Sequence, residues 1–308
     1  MKNWGYKIKY ILLNTLKRWV KIISDILVIL GTVLTIAEII HHMFQSDIVY
    51  EWMHSYTLVL IILCVLISFF KNKVALEYEY FLKGSDVKIR LQVADVLNCE
   101  AAIVIPTNTT FDTIMEDEFI SINSVQGQFQ IKYFENNLRT LDSLLEEGLK
   151  DIPYEKINKK IGKCRKYPIG TVSKITYDKK HFYFVAIADI NEYGKTINTK
   201  FENIQKALDG VWSQLECKGH VENLAMPLIG TGKAGIKDAK RERVIKEIIF
   251  SFVASAQERK ITEELQICIH PSDLEQKDIR LLELNDYLQY MCKYRYKKDT
   301  LVTEGISL

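Results

Sequence analysis

The apolar residues of this chain crowd into its first quarter. Residues 22–41 (IISDILVILGTVLTIAEIIH) and 52–70 (WMHSYTLVLIILCVLISFF) are two nearly unbroken apolar runs. Each approaches the roughly 20 residues that an α-helix needs to cross a bilayer core. The second run carries no formal charge between Trp52 and Phe70, while the first has Asp25 near one end and Glu38 near the other. The join, residues 42–51, is short and holds no Lys or Arg. Two such helices predict a transmembrane hairpin, because helices satisfy their own backbone hydrogen bonds in lipid. A secretory signal does not fit the first run, which is too long, lacks a small-residue cleavage site and is followed by a second run. A buried soluble hairpin does not suit the uncharged stretch 56–70.

Charge sets the expected orientation. Lys2, Lys7, Lys9, Lys17, Arg18 and Lys21 precede the first run, and Lys71 and Lys73 follow the second. The join has Asp47 and Glu51 instead, so the positive-inside rule puts both termini in the cytoplasm. Trp19, Tyr50 and Trp52 fall where interfacial aromatics belong. Residues 6–20 mix Tyr6, Ile8, Tyr10, Leu12 and Leu16 with basic residues, which fits either a helix in the inner interface or an amphipathic extension of the first span. Glu38 fits a headgroup position better than an ion path.

After Lys73 the periodicity changes. Residues 87–93 alternate as a strand does, and 101–107 form a continuous apolar run, as in a buried strand. The pattern predicts helices at 134–149, 200–217, 238–258 and 274–290, and strands at 168–177, 181–189, 222–229 and 264–270. Alternating strands and helices imply a mixed sheet covered on both faces, with residues 1–80 as the membrane region and 81–308 as the cytoplasmic domain.

Composition narrows the function. The 41 basic and 39 acidic residues give a net charge of +2, which offers no footprint for nucleic acid. The cysteines form no CxxC pair and no His stands at ligand spacing from them, so they read as reduced thiols, with no metal expected.

In such sheets ligands bind at the carboxyl ends of central strands. Two loops there suit a phosphate. The first is Pro106-Thr107-Asn108-Thr109 and the following Thr; the second is Ile229-Gly230-Thr231-Gly232-Lys233-Ala234-Gly235. The glycines allow close backbone approach, and their N–H groups can face a diphosphate ahead of a helix expected to start near Asp238. The second loop is neither a Walker motif nor a Rossmann fingerprint.

Together the two loops change the picture. ADVLNCEAAIVIPTN (94–108) resembles the opening of a macro domain, where a G-D-I element precedes a strand ending V-N-A-A-N. MPLIGTGKAGI (226–236) resembles that family's diphosphate-binding loop, so the match runs over about residues 87–290. The resemblance implies a three-layer α/β/α fold that binds ADP-ribose and its derivatives. It implies that Asp95, with Val96 beside it, receives the adenine amino group, that Asn108 lies near the distal ribose, and that 230–234 hold the diphosphate. Ile105 departs from the pattern, and residues 109–119 lack the glycines of hydrolytic members, while the available acids Asp112 and Asp117 do not sit in the required loop, so no general base is identified and binding is expected over catalysis.

The hairpin and the divergent domain resemble a narrower group, the macro-domain membrane effectors of type II Thoeris bacterial antiphage systems. Phe111-Asp112-Thr113 and Ser124-Val125-Gln126-Gly127-Gln128-Phe129 look like that group's replacement for the glycine stretch. The resemblance implies a TIR enzyme as partner, histidine-ADP-ribose as signal, no cofactor, and self-association that damages the bacterial inner membrane. It implies a multi-pass chain and death or arrest of the infected cell. Ser124–Phe129 and 191–198, with Tyr193 as a stacking ring, are the expected lids, and Thr32, Thr35, Ser55, Thr57 and Ser68 the expected interhelical contacts. The rivals are a tethered ADP-ribosyl hydrolase and an anchor that recruits ADP-ribosylated partners.

Overall fold

A computed structural model describes residues 2–44, 48, 51, 55–115, 120–135, 137–197, 199–217, 222–232, 235–236, 239–275 and 279–294. The chain forms two compact units, Met1–Leu76 and Glu77–Leu308. The division falls before the strand Glu77–Phe81, ahead of the 80/81 boundary expected from the sequence.

The first unit holds α1 (Lys2–Leu16), α2 (Trp19–Phe44) and α3 (Thr57–Lys71). A turn at Lys17 and Arg18 separates α1 from α2, so the amphipathic stretch is a helix of its own and not a continuation of the span. With 26 residues, α2 is the one helix among the described residues that is long and apolar enough to cross a membrane. Helix α3 is apolar but has 15 residues, or about 22 Å at 1.5 Å per residue, short of a ~30 Å core. The second expected span is thus described only in part, since residues 52–54 lie outside the described set, as does half of the join, Tyr50 included.

Helices α2 and α3 meet through polar groups at one end. Ser68 donates to the Ile22 carbonyl (2.9 Å), and Asp25 accepts from Lys71 (2.9 Å) and Asn72 (2.6 Å). Thr32 and Thr35 bond instead to the carbonyls of Val28 and Gly31 on their own helix. Leu27, Val28, Leu58 and Ile67 are more than half exposed, an apolar surface that suits lipid.

The second unit is built on a sheet in the order β1-β2-β10-β9-β3-β7-β6, with β8 paired to β7. Its strands are β1 (Glu77–Phe81), β2 (Lys88–Val93), β3 (Ala102–Asn108), β6 (Val172–Tyr177), β7 (Lys180–Ile190), β8 (Thr196–Ile197), β9 (Leu224–Pro227) and β10 (Glu264–Ile269). The five inner strands run parallel, and β1 and β6 close the edges antiparallel. A separate ribbon pairs β4 (Glu155–Lys156) with β5 (Arg165–Lys166).

Helices cover both faces, giving the expected three layers. On one face lie α4 (Val125–Phe134) and α5 (Leu138–Leu149), where Leu141, Leu145 and Leu149 recur at helical spacing. They pack with Phe129 on Ile103, Ile105, Phe182 and Phe184. On the other face lie α6 (Glu202–Cys217), α7 (Arg241–Glu258) and α8 (Leu281–Lys293), with Trp212 edge-on to Phe252. The helix expected at 134–149 starts at Leu138, where Asn137 caps it through the Thr140 N–H, and a helix that the sequence did not predict, Val125–Phe134, precedes it.

Candidate ligand-binding cavity

The cavity follows from an interrupted ladder. Strand β3 pairs with β9 only at Ala102 and Ile103. The Ala102 N–H points toward β9, where it meets the Asn223 carbonyl, so by strand alternation the Pro106 nitrogen also faces that side. Proline has no N–H to extend the ladder. On the other side the β3–β7 register shifts between Thr107 and Asn108. A crevice therefore opens at the carboxyl ends of β2, β3, β7, β9 and β10, with a volume of about 630 Å³.

One wall is the loop after β3. Asn108 Oδ1 accepts from the Thr110 N–H (3.1 Å) and the Asp112 N–H (3.2 Å). Asp112 is fully buried and accepts from Lys159 Nζ (2.6 Å), Thr110 Oγ1 (2.5 Å), Asn108 Nδ2 (3.3 Å) and the Lys163 N–H (2.7 Å). The Lys159 side chain is 1% exposed, so this is a buried ion pair. Helix α4 adds two ties: Gln126 donates to the Asp112 carbonyl (2.8 Å) and Gln130 to the Thr113 carbonyl (2.6 Å). This network stands where the expected glycine stretch is absent, and it engages both Asp112 oxygens, Oδ2 with three donors and Oδ1 with one. Thr107, which lines the cavity, has a buried hydroxyl with no hydrogen-bond partner among the described residues, as has Gln130 Oε1.

The opposite wall is the glycine loop after β9. Gly230 has φ +77°, which favours glycine, and a Cβ there would stand 2.7 Å from Ile236 Cδ1. A Cβ on Gly232 would meet nothing within 4 Å. The loop is tied by the Gly235 N–H to the Gly232 carbonyl (3.0 Å) and by the Thr231 hydroxyl to the Leu228 carbonyl (3.0 Å). Helix α7 starts at Arg241, later than expected, and Arg241 donates to Asp273 (3.1 Å).

The structure brings together Asp95, Val96, Pro106, Thr107, Asn108, Ser124, Gln126, Gly230, Thr231 and Gly232 around the cavity. Asp95 caps the 3-10 turn Val96–Asn98 through the Leu97 N–H (3.0 Å). Four expected residues do not line it. Thr109 is buried, bonding Asp189 (3.0 Å). Gly127 is a packing glycine, since a Cβ would sit 2.2 Å from the Ser121 carbonyl oxygen. Ile229 is buried in the core and Gly235, at φ +59°, closes a turn. Lys233 and Ala234, like Asp117, lie outside the described residues.

Neither expected lid is a loose loop. Ser124 is the N-cap of α4, bonding the Gly127 N–H (3.0 Å), and 125–129 are helix. The 191–197 segment is a hairpin held by Asn191, and its Tyr193 ring lies under Lys160, 4.7 Å from the centroid. Residue 198 is not among those described.

Sequence reasoning missed Asn123, Thr196, Arg241, Cys268, His270, Ser272 and Asp273, all of which line the cavity. His270 was within reach, because it ends the strand 264–270 and ligands sit at strand carboxyl ends. Its Nδ1 lies 2.6 Å from Ser272 Oγ and 3.3 Å from the Ser272 backbone nitrogen.

A three-layer α/β/α unit with this cavity between a β3 loop and a glycine loop is a macro domain. Residues 89–270 match the family described as Thoeris protein ThsA, Macro domain. The chain belongs to that family. A relative, the Thoeris protein ThsA of Bacillus amyloliquefaciens (strain Y2), is 24% identical over 179 residues, which cover 57% of this chain and 57% of the relative's length. Among solved structures, the Oceanobacillus iheyensis macrodomain with ADP is 12% identical with a TM-score of 0.48, covering 70% of this chain and 98% of its own. The same macrodomain with MES bound scores 0.47 at 12% identity, covering 70% and 97%.

Proposed function

We propose that this chain is the membrane-anchored effector of a bacterial antiphage system, and that its cavity senses an ADP-ribose derivative made by a TIR enzyme. The observation that carries this reading is the cavity itself: a crevice at the strand ends, with an unpartnered Thr107 hydroxyl on one wall and an open glycine backbone on the other. In this reading Asp95 accepts from the adenine amino group through its outer carboxylate oxygen. The Gly230–Gly232 backbone, with Lys233 and Ala234, faces the diphosphate, and Asn108 stands near the distal ribose. Histidine-ADP-ribose is the proposed ligand, and no cofactor takes part.

The same reading favours sensing over hydrolysis, because Asp112 is already occupied by four donors. Sensing is coupled to the membrane if the ligand binds a self-associated state more tightly than the single chain. The proposed end point is damage to the inner membrane by α2 and α3 as a two-span hairpin with both termini cytoplasmic.

Isothermal titration of the full chain in lipid nanodiscs tests the ligand. ADP-ribose and its histidine conjugate should both bind, the conjugate at least tenfold tighter. Asp95→Ala and Gly232→Glu should each weaken binding more than tenfold, the second by placing a carboxylate against a diphosphate. A folded chain that binds neither nucleotide overturns the reading, and release of free histidine and ADP-ribose from the conjugate would favour the hydrolase. Accessibility of the 42–51 join from the periplasmic side checks the two-span topology.

A further inference from the structure

Behind the nucleotide cavity lies a second one of about 570 Å³, lined by Cys99, by the lysines Lys132, Lys179 and Lys180, and by Glu100 and Glu222, the latter paired with His181. Its lysines outnumber its carboxylates, and Cys99 opens into it. Cys268, buried on β10, lines the first cavity. The two sulfurs face each other across the wall between the cavities at 3.5 Å. Gln92 Nε2 lies 3.7 Å from one and 3.5 Å from the other. Lys180 donates to the Cys99 carbonyl, which brings an ammonium group beside the partly buried thiol, and Lys132 donates to the Leu97 carbonyl two residues before it (2.7 Å).

We propose that Cys99 and Cys268 are a thiol–disulfide couple, oxidised by an anionic low-molecular-weight disulfide that the basic cavity admits. The Cys99 thiolate attacks one sulfur of the small disulfide, forming a mixed disulfide and releasing one small thiolate. Cys268 then attacks Cys99 Sγ, releasing the second small thiolate, which takes up the Cys268 proton. Two protein thiols are oxidised and one small disulfide is reduced to two thiols. The chemistry divides in this order because the Cys268 thiol, the Lys180 ammonium and Arg90 favour the Cys99 thiolate, whereas its contact with Cys99 and its burial hold Cys268 protonated.

The couple is placed to act on the ligand. Bond formation shortens the sulfur separation from 3.5 Å to about 2.05 Å. Cys99 directly follows the 3-10 turn that Asp95 caps. Oxidation therefore draws that turn toward β10 and shifts Asp95 against the cavity, which weakens nucleotide binding. This last step rests on the nucleotide reading; disulfide formation does not.

The test exposes the full chain in nanodiscs to oxidised glutathione and maps peptides without reduction. A linked Cys99–Cys268 pair should form in the native chain and in neither Cys99→Ser nor Cys268→Ser. A neutral disulfide of the same size should react at least tenfold more slowly. Affinity for ADP-ribose should fall at least tenfold on oxidation and return with dithiothreitol, while Cys99→Ser keeps its affinity throughout. Absence of the linked pair, or equal rates with the neutral reagent, overturns the couple or its basic entry. A linked pair with unchanged affinity overturns the coupling. A reduced chain that never binds ADP-ribose counts against the nucleotide reading, and the linked pair still decides the couple.

Discussion

The two walls of the cavity are built on opposite plans. The β3 wall is a polar network, in which Asn108 Oδ1 and the Asp112 carboxylate accept from loop donors, α4 bonds the Asp112 and Thr113 carbonyls, and a lysine from the β4–β5 ribbon seals it. The β9 wall, among the described residues, has two local hydrogen bonds made by its own turns and a glycine whose Cβ would meet nothing within 4 Å. Buried polar groups are costly unless all are satisfied, so the first wall tolerates little change. The second presents the glycine backbone of Gly230 and Gly232 to the cavity. A binding protein gains from the pairing: one wall fixes the shape, the other supplies the contacts.

The comparison breaks most sharply at Asp112. Asp112→Ala leaves the Lys159 ammonium buried without its carboxylate and should cost about 3–5 kcal/mol, read as a drop in the melting transition of the detergent-solubilised chain. Adding Lys159→Met should restore much of that loss. Gly162→Ala comes next. Gly162 has φ +88°, and a Cβ would sit 2.5 Å from Asp112 Oδ1, so a loss of about 1–3 kcal/mol is expected by the same assay.

Thr107→Val sharpens the picture because it separates stability from binding. Removing an unpartnered hydroxyl should leave the melting temperature unchanged or raise it, while ADP-ribose binding weakens about fivefold, or ~1 kcal/mol.

A pH effect is expected at the far end of the sheet. Burial pushes the Glu222 carboxyl up, but hydrogen bonds from Tyr183 and His181 and the charge of Lys174 outweigh it and hold it below the usual range. Its contribution to stability is therefore complete above the ordinary carboxylate pKa of about 4.3 and is lost as pH falls toward its folded value. Melting curves between neutral and strongly acidic pH should show this loss, and Glu222→Gln should remove it without altering the nucleotide cavity, which Glu222 does not line. The smallest effect belongs to Gly232→Ala, which should change stability by less than about 0.5 kcal/mol, because its Cβ enters open space.

Much of the fold was legible because periodicity reports burial. The runs 101–107 and 264–270 are strands within one residue of their expected ends. The short pieces were not legible. The ribbon Glu155–Lys156 with Arg165–Lys166 has no alternation to detect, yet it delivers the lysine that seals the β3 wall. Ser124–Phe129 looked like a polar lid because its glutamines look solvent-seeking, but Gln126 and Gln130 are buried against backbone carbonyls.

The sequence by itself determined the apolar first quarter, the alternating α/β order, and the two loops that meet at the cavity. Each depends on residues close together along the chain, where hydrophobic pattern and glycine placement act directly. Only the tertiary structure decided which of those residues face the cavity, that Asp112 is spent on Lys159, and that Cys99 and Cys268 oppose each other. Those pairings join positions 47 and 169 residues apart. Strand order and packing set them, and no local pattern encodes a contact made at that distance.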